Sequence, residues 1–243
     1  MPFAALSNMI SNFANFDIQG FLIKILVLCI SLSFHEMAHA WAAYRMGDDT
    51  AALQGRLSIN PLVHLDPIGA LCFLIGGIGW AKPVPINPTR FDRRHSMKTG
   101  IVLTSLAGPV SNLILATGAA LLYYVTATAG VLLNLKEDNL LLSLLISLFI
   151  MLYSANISLA VFNLLPVPPL DGYKVFGAAL PGSLYYKIMN YERFIGLAFL
   201  FLIFFGQGIL MKVLTVIRWP FDQAIMQPLH LLFSWLWRLL GLA

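Results

Sequence analysis

The sequence predicts an all-α membrane protein with about four transmembrane helices, a re-entrant β-like segment and interfacial helices at both termini. Composition is the first reason: 59% of the 243 residues are hydrophobic, only 11% are charged and the mean hydropathy is +0.80, whereas a soluble domain carries roughly 25% charged residues. The second reason is that apolar runs long enough to cross a hydrocarbon core of about 30 Å recur along the chain. A soluble enzyme and a disordered chain are therefore disfavoured. The net charge of +4 suits basic loops at the surface of a lipid bilayer and is too small to favour a nucleic-acid partner.

The first half of the chain contains an interfacial helix, one span and one broken segment. Residues 1–15 place apolar and polar side chains at helical spacing, which predicts a short amphipathic helix at the membrane interface. Residues 18–45 form an apolar run long enough to span. Residues 68–88 begin with a short, glycine-containing apolar run and end in a proline-rich stretch that cannot be helical. Extended backbone inside a membrane needs protein or water as its hydrogen-bonding partner, so we expect residues 68–88 to be re-entrant and to line a cavity.

The second half of the chain supplies the remaining helices. Three further spans are predicted at residues 101–125, 140–165 and 194–217. Pro220 is expected to separate the last span from a C-terminal helix at 220–243, whose polar residues share one stripe and favour an interfacial or membrane-associated position. The predicted organisation is therefore an N-terminal helix, a membrane core and a C-terminal helix at residues 1–15, 16–217 and 220–243.

The distribution of basic residues predicts the orientation of the spans. Seven Lys and Arg residues lie in 45–98 and three lie in 166–193, whereas the opposite side holds Lys136, Lys212 and Arg218. Because loops rich in Lys and Arg stay in the cytoplasm, we expect the first span to run from outside to inside.

The first span contains the residues that indicate chemistry, His35-Glu36-Met37-Ala38-His39. Residues four apart lie on one face of a helix, so both imidazoles can reach a single Zn²⁺, with Glu36 beside its open coordination position. Each charged side chain in a lipid-compatible helix costs about 2.5 kcal/mol or more when unpaired, which favours a functional site over a chance match. The alternative is a polar patch that forms hydrogen bonds between helices.

A catalytic zinc usually has three protein ligands, so a third ligand is required. Asp171 is the leading candidate, because it follows three prolines and precedes Gly172 at the cytoplasmic end of the third span, on the same membrane side as His39. Its alternative role is to cap a following helix. His64 is the rival ligand, and its alternative role is to stabilise the loop around it.

The motif at His35–His39, followed far downstream by Asn163, Pro166 and Leu170-Asp171-Gly172, resembles the site-2 protease family of intramembrane zinc metalloproteases, peptidase family M50. The resemblance covers roughly residues 16–193, without a PDZ-like or CBS-like insertion, as in a minimal member. The segment from Ala107 to Asn112 is similar to the family's middle-helix motif, and Gly77-Ile78-Gly79 with the following prolines is similar to its re-entrant β segment.

The resemblance implies that His35, His39 and Asp171 bind zinc and that Glu36 is the catalytic residue. The implied function is a zinc-dependent intramembrane endopeptidase that hydrolyses peptide bonds within or near transmembrane segments, with Glu36 activating a water on the zinc. The implied substrate is a transmembrane protein already trimmed by another protease, and the implied location is a bacterial cell membrane, with the active site open to the cytoplasm.

Four residues are predicted to contact an unwound substrate. The resemblance assigns Asn163 to the substrate backbone. We further expect Gly77 and Gly79 to lie on a strand edge that pairs with the substrate, and Asn112 to bind its freed amides. For Asn112, an interhelical hydrogen bond is the open alternative.

Two other classes of function remain open from the sequence. A multi-pass metal-ion transporter could use the same His, Glu and Asp residues as a transit site, although the spans show no inverted duplication. A catalytically inactive membrane scaffold is the second class. The sequence leaves the oligomeric state open.

Overall fold

The computed structural model of the chain describes residues 17–76, 80–94, 96–136 and 138–242. The helix expected at residues 1–15 lies outside these ranges. The elements in chain order are α1 (Ile18–Arg45), α2 (Thr50–Leu53), α3 (Pro61–His64), α4 (Pro67–Gly76), a short 3₁₀ helix (Pro88–Arg90), α5 (Met97–Leu132), α6 (Leu140–Asn163), α7 (Asp171–Ala179), α8 (Gly182–Asn190), α9 (Glu192–Phe205) and α10 (Gln207–Leu239). The described residues are mostly helical and contain no sheet.

Among the described residues, three helices, α1, α5 and α6, are long and apolar enough to cross a membrane. Each begins at a polar residue whose side chain accepts a backbone N–H of the first turn: Asp17 for α1, Ser96 for α5 and Asn139 for α6. The cap at Ser96 starts α5 four residues before the predicted position, and α5 continues to Leu132, well past the predicted end at 125.

The core lies where these three helices meet. Small residues of α5, including Ala116 and Ala120, are almost fully buried against Val27 of α1 and Ile157 of α6. Small side chains allow helix backbones to approach closely, which is how membrane helices gain packing energy without a hydrophobic driving force between them. The shared core therefore holds α1 and α5 in the fixed relation that the functional residues need.

The β-like character predicted for residues 68–88 is not supported. Asp66 accepts the N–H groups of Ile68 and Gly69 and so starts α4, which makes the glycine-containing run helical. Past the undescribed residues 77–79, the chain returns without regular structure, apart from one isolated antiparallel bridge between Leu65 and Ala81. This returning stretch of 80–87 is called the return segment below.

The predicted fourth span at 194–217 is not one continuous helix. The chain breaks at Gly206 between α9 and α10, and the two helices meet at 97°, so they make a fourth span only if the bent pair is counted as one. Pro220, expected to end a helix, lies inside α10. Ile217 and Phe221 pack against the core on either side of Pro220, and this packing holds the helix together across the missing N–H.

Candidate metal centre

Two imidazoles and one carboxylate meet at the centre of the fold. His35 and His39 lie one turn apart on α1 and are buried, with their Nε2 atoms 3.0 Å apart. Oδ2 of Asp171 lies 3.2 Å from Nε2 of His35 and 3.1 Å from Nε2 of His39. The ligand atoms of all three residues lie within 4.8 Å of one another, close enough to hold one metal ion.

The chain break between α6 and α7 brings Asp171 to this point. Prolines at 166, 168 and 169 prevent α6 from continuing, and the chain turns back on itself before α7 starts at Asp171. Gly172 packs so tightly there that an added Cβ would lie 2.5 Å from the carbonyl oxygen of Leu165. The turn therefore needs glycine next to Asp171, and the tight contact fixes where the carboxylate starts.

The donor set fits a zinc ion. Nδ1 of His39 lies 2.7 Å from the carbonyl oxygen of Thr104. Because a carbonyl oxygen can only accept a hydrogen bond, the proton of the neutral ring is on Nδ1, and Nε2 carries a lone pair. Nδ1 of His35 faces Oδ1 of Asn112 at 2.6 Å, with the same consequence. The Nε2 lone pairs of both rings and the Asp171 carboxylate then face one another with no hydrogen-bond donor among them. A bound cation would remove the electrostatic repulsion between these three groups. Ligand atoms on a tetrahedral zinc lie about 3.3 Å apart, close to the separations observed here.

The charge of the centre also suits a cation. Burial alone would raise the pKa of Asp171, but contacts with imidazoles that carry an extra proton in place of a cation outweigh this and hold the pKa well below its usual range. Asp171 is therefore ionised at neutral pH and supplies the negative charge that a divalent cation needs.

Glu36 lies between the two histidines in sequence and is half-buried. Its Oε2 accepts the backbone N–H of Val84 at 3.2 Å, so the return segment passes directly beside it. Within the part of the chain that the structure describes, this is the one hydrogen bond to the carboxylate, which leaves lone pairs free to accept a proton.

Helix α5 closes the centre from the other side through Gly108. An added Cβ at this position would lie 2.6 Å from Cε1 of both His35 and His39, far closer than real Cβ atoms come. Glycine is therefore required for α5 to pack against the two rings.

A large apolar cavity of about 1120 Å³ lies next to the centre. Helix α1 contributes Leu32 to the cavity wall, one turn before Glu36. The chain break before α7 contributes Leu170, the residue directly before Asp171. Trp80 of the return segment and Gly196 of α9 line other sides. The cavity wall therefore contains residues one helical turn from Glu36 and directly before Asp171, although neither of these two side chains is part of it.

The other residues singled out from the sequence have different positions. Asn112 is fully buried, and its amide contacts His35 and other residues of the helix bundle, so the structure supports the interhelical alternative. Asn163 ends α6 and its Nδ2 donates to the carbonyl of Leu159. His64 is buried but is not part of the metal-binding group; its Nε2 pairs with the carbonyl of Ser58. Gly77 and Gly79 lie outside the described residues, so their role stays a prediction.

Some functional contacts were missed from the sequence. Thr104 and Val84 act through a backbone carbonyl and a backbone N–H, which leave no side-chain signal to read. Asn156, which contacts Asn112, does leave a signal: it is an amide side chain in the apolar run of α6, and such residues mark polar contacts between membrane helices.

Comparison with known proteins gives a consistent result. A family model described as Peptidase family M50 matches residues 23–203. The chain is 39% identical over 211 residues to "Putative zinc metalloprotease YwhC" of Bacillus subtilis (strain 168), covering 86% of this chain and 90% of that protein. It is 29% identical over 207 residues to "Putative zinc metalloprotease Rip2" of Mycobacterium tuberculosis (strain ATCC 25618 / H37Rv), covering 83% and 74%. No solved structure gives a significant match.

Proposed function

The chain belongs to peptidase family M50, and from this premise we propose that it is a zinc-dependent intramembrane endopeptidase that cleaves membrane proteins within or near their transmembrane segments. Family membership makes the chain a protease. The names of its relatives and its own His-His-Asp group identify zinc as the cofactor.

One observation carries the proposal: the ligand atoms of His35, His39 and Asp171 converge, with Glu36 next in sequence to the first of them. The two histidines come from a helix apolar enough to span a membrane, and the carboxylate comes from the break after another such helix. This is the arrangement expected of a hydrolytic metal site with three protein ligands and one open position.

The proposed roles follow from the chemistry of each side chain. When bound, zinc lowers the pKa of a water molecule toward 7 and polarises the carbonyl of the scissile bond. Glu36 accepts the proton of the attacking water and passes it to the leaving amine. Its hydrogen bond from Val84 keeps the carboxylate oriented between these two transfers.

The cavity beside the centre is the proposed site of the substrate. Its wall is almost entirely apolar, so it suits the side chains of a transmembrane segment rather than a hydrated peptide. A helical segment must unwind before its carbonyls can react, since they are bonded internally. Asn163, at the end of α6, is the proposed partner of the freed backbone.

The setting of the enzyme is part of the same proposal. We place it in a bacterial cell membrane with the active site open to the cytoplasm, on the basis of the basic residues in 45–98 and 166–193. The proposed substrate is a membrane protein already shortened by another protease.

The decisive test is Glu36→Gln. Because the amide cannot accept a proton while the three ligands are untouched, we expect zinc content to stay at the wild-type level and proteolysis to fall below detection. Zinc is measured by elemental analysis of detergent-purified protein, and cleavage is followed on a co-expressed single-span membrane reporter.

Asp138→Asn is the charge-matched control for this test, since Asp138 lies in the loop between α5 and α6 and is not part of the metal-binding group. It should retain both zinc and cleavage. Cleavage by Glu36→Gln at the wild-type rate would refute the proposed role of Glu36.

The transporter alternative is not supported. The family and the named relatives are peptidases. The three ligands also share one site next to a closely packed Gly108, whereas a transit path needs polar residues along a whole crossing.

A further inference from the structure

A chain of hydrogen bonds runs from His35 away from the metal centre into the helix bundle. It passes from α1 to Asn112 of α5, then to Asn156 of α6, and returns to Ser31 of α1. Asn112, Asn156 and Ser31 are each 0% exposed. A buried amide in an apolar core is costly unless its donor and acceptor atoms each have a matching partner. The partners of Asn112 and Asn156 therefore determine which end of each amide is Nδ2 and which is Oδ1.

The direction of this chain is set at Asn156. Its Nδ2 lies 2.8 Å from the carbonyl oxygen of Leu152, which can only accept. The same Nδ2 lies 2.8 Å from Oγ of Ser31, whose own proton is donated to the carbonyl of Val27. Both neighbours therefore require a donor from Asn156, and the opposite end of the amide, Oδ1, must face Asn112.

The orientation of the Asn112 amide follows from its neighbours in the same way. Oδ1 of Asn156 lies 2.7 Å from Asn112 and requires a donor, as does the carbonyl oxygen of Ser31 at 3.3 Å. Asn112 must therefore present Nδ2 to both, which leaves its Oδ1 facing Nδ1 of His35 at 2.6 Å. His35 can only donate to this oxygen, so its proton is held on Nδ1 and its Nε2 stays free.

We propose that Asn156 is a positioning residue for the metal centre: it orients the amide of Asn112, which in turn fixes His35 in the tautomer whose Nε2 binds the metal. This inference rests on the proposed zinc site but not on the proteolytic activity. It explains a difference between the two histidines. His39 is fixed directly by a backbone carbonyl, whereas His35 faces a side-chain amide that could present either end and needs a second residue to orient it.

The test is a double-mutant cycle in zinc affinity, measured by chelator competition on detergent-purified protein. Asn156→Leu removes the closer of the two acceptors that orient Asn112 and leaves the longer contact, at 3.3 Å, with the carbonyl of Ser31. We expect zinc affinity to fall by about tenfold, in the range known for residues that support metal ligands. In the Asn112→Asp background a symmetric carboxylate accepts from His35 whichever way it turns. Asn156→Leu should then cause no further loss.

Ser31→Ala is the matched control, because it removes a buried hydrogen bond from the same network while the carbonyl of Leu152 still orients Asn156. It should keep zinc affinity close to the wild-type value and leave the visible spectrum of the Co²⁺-loaded protein unchanged, whereas Asn156→Leu should alter that spectrum. Asn156→Ala serves as a second variant should Asn156→Leu fail to fold.

The outcomes separate this inference from the proposed function. An equal loss of zinc affinity on Asn156→Leu in the wild-type and the Asn112→Asp backgrounds would mean that Asn156 only stabilises the helix bundle. The proposed positioning role of Asn156 would then be refuted. Wild-type affinity in Asn156→Leu would refute it as well, while the zinc site stands. Absence of zinc from the wild-type protein would refute both proposals.

Discussion

Asp171 reaches the two histidines from a chain break rather than from the middle of a helix, so its position depends on a single tight turn. The Asp171→Asn variant keeps the shape of this residue but loses its negative charge and most of its strength as a ligand. We expect zinc affinity to fall by more than about tenfold, since even residues that only support a metal ligand cost that much. Zinc stoichiometry after gel filtration with a competing chelator measures it.

His64→Ala is the control for this prediction, because His64 is the other ligand that the sequence allowed and is itself buried. We expect His64→Ala to keep its zinc, since His64 is outside the metal-binding group. Zinc lost in His64→Ala but kept in Asp171→Asn would reverse the assignment of the third ligand.

At the scale of single residues, the sequence predicts what local spacing determines. The four-residue interval places His35 and His39 on one helix face, and the structure brings their Nε2 atoms together. Asp171 was chosen for the prolines before it, Gly172 after it and its membrane side, and the resemblance added to this choice, since no spacing rule connects residues 132 positions apart. For Asn112 the sequence left both a substrate contact and an interhelical hydrogen bond open, because a sequence indicates that a buried amide needs partners but not which helix supplies them.

At the scale of helices, the contact between α5 and the two imidazoles depends on Gly108. Gly108→Ala adds a methyl group 2.6 Å from Cε1 of both His35 and His39, so either the rings or the helix must shift. Because a tetrahedral site tolerates only small changes in ligand position, we expect Gly108→Ala to lose zinc and proteolysis together. Zinc content and the thermal unfolding temperature of the purified variant measure this.

Gly118→Ala is the matched control, since Gly118 lies in the same helix and an added Cβ meets nothing within 4 Å. It should leave zinc content and activity unchanged. Full zinc occupancy in Gly108→Ala would show that α5 can move away from the rings without cost.

The helices that the sequence predicts well are those whose ends are fixed locally. Asp17 and Asn139 cap α1 and α6 near the predicted starts, and the prolines after Asn163 end α6 near the predicted end. The C-terminal region was predicted poorly because its structure depends on distant contacts. α10 continues through Pro220 as it packs against the core, and the break falls instead at Gly206.

At the scale of the whole molecule, the metal centre and the cavity share α1 and the chain break after α6 but differ in their other walls. α5 supports the histidines through buried polar contacts and is not part of the cavity wall, whereas α9, α10 and the return segment border the cavity and hold none of the three metal ligands. The parts that hold the metal are thus separate from most of the parts that would contact the substrate. Changes in the cavity wall should therefore affect cleavage without affecting zinc.

Gly196→Leu tests this separation. Gly196 lines the cavity, and an added Cβ there meets only the carbonyl oxygen of Pro168, at an ordinary contact distance of 3.7 Å. A leucine side chain fits on α9 but fills space that the substrate would need. We expect cleavage of a membrane reporter to fall by roughly tenfold or more, because small displacements of a bound substrate strongly reduce the rate, while zinc content stays at the wild-type level. Gly182→Leu is the control: it adds the same side chain on α8, where an added Cβ meets nothing within 4 Å, and Gly182 is not part of the cavity wall. This variant should retain full activity. Undiminished cleavage by Gly196→Leu would place the substrate elsewhere on the molecule, and loss of zinc would show that the cavity wall and the metal centre are not independent.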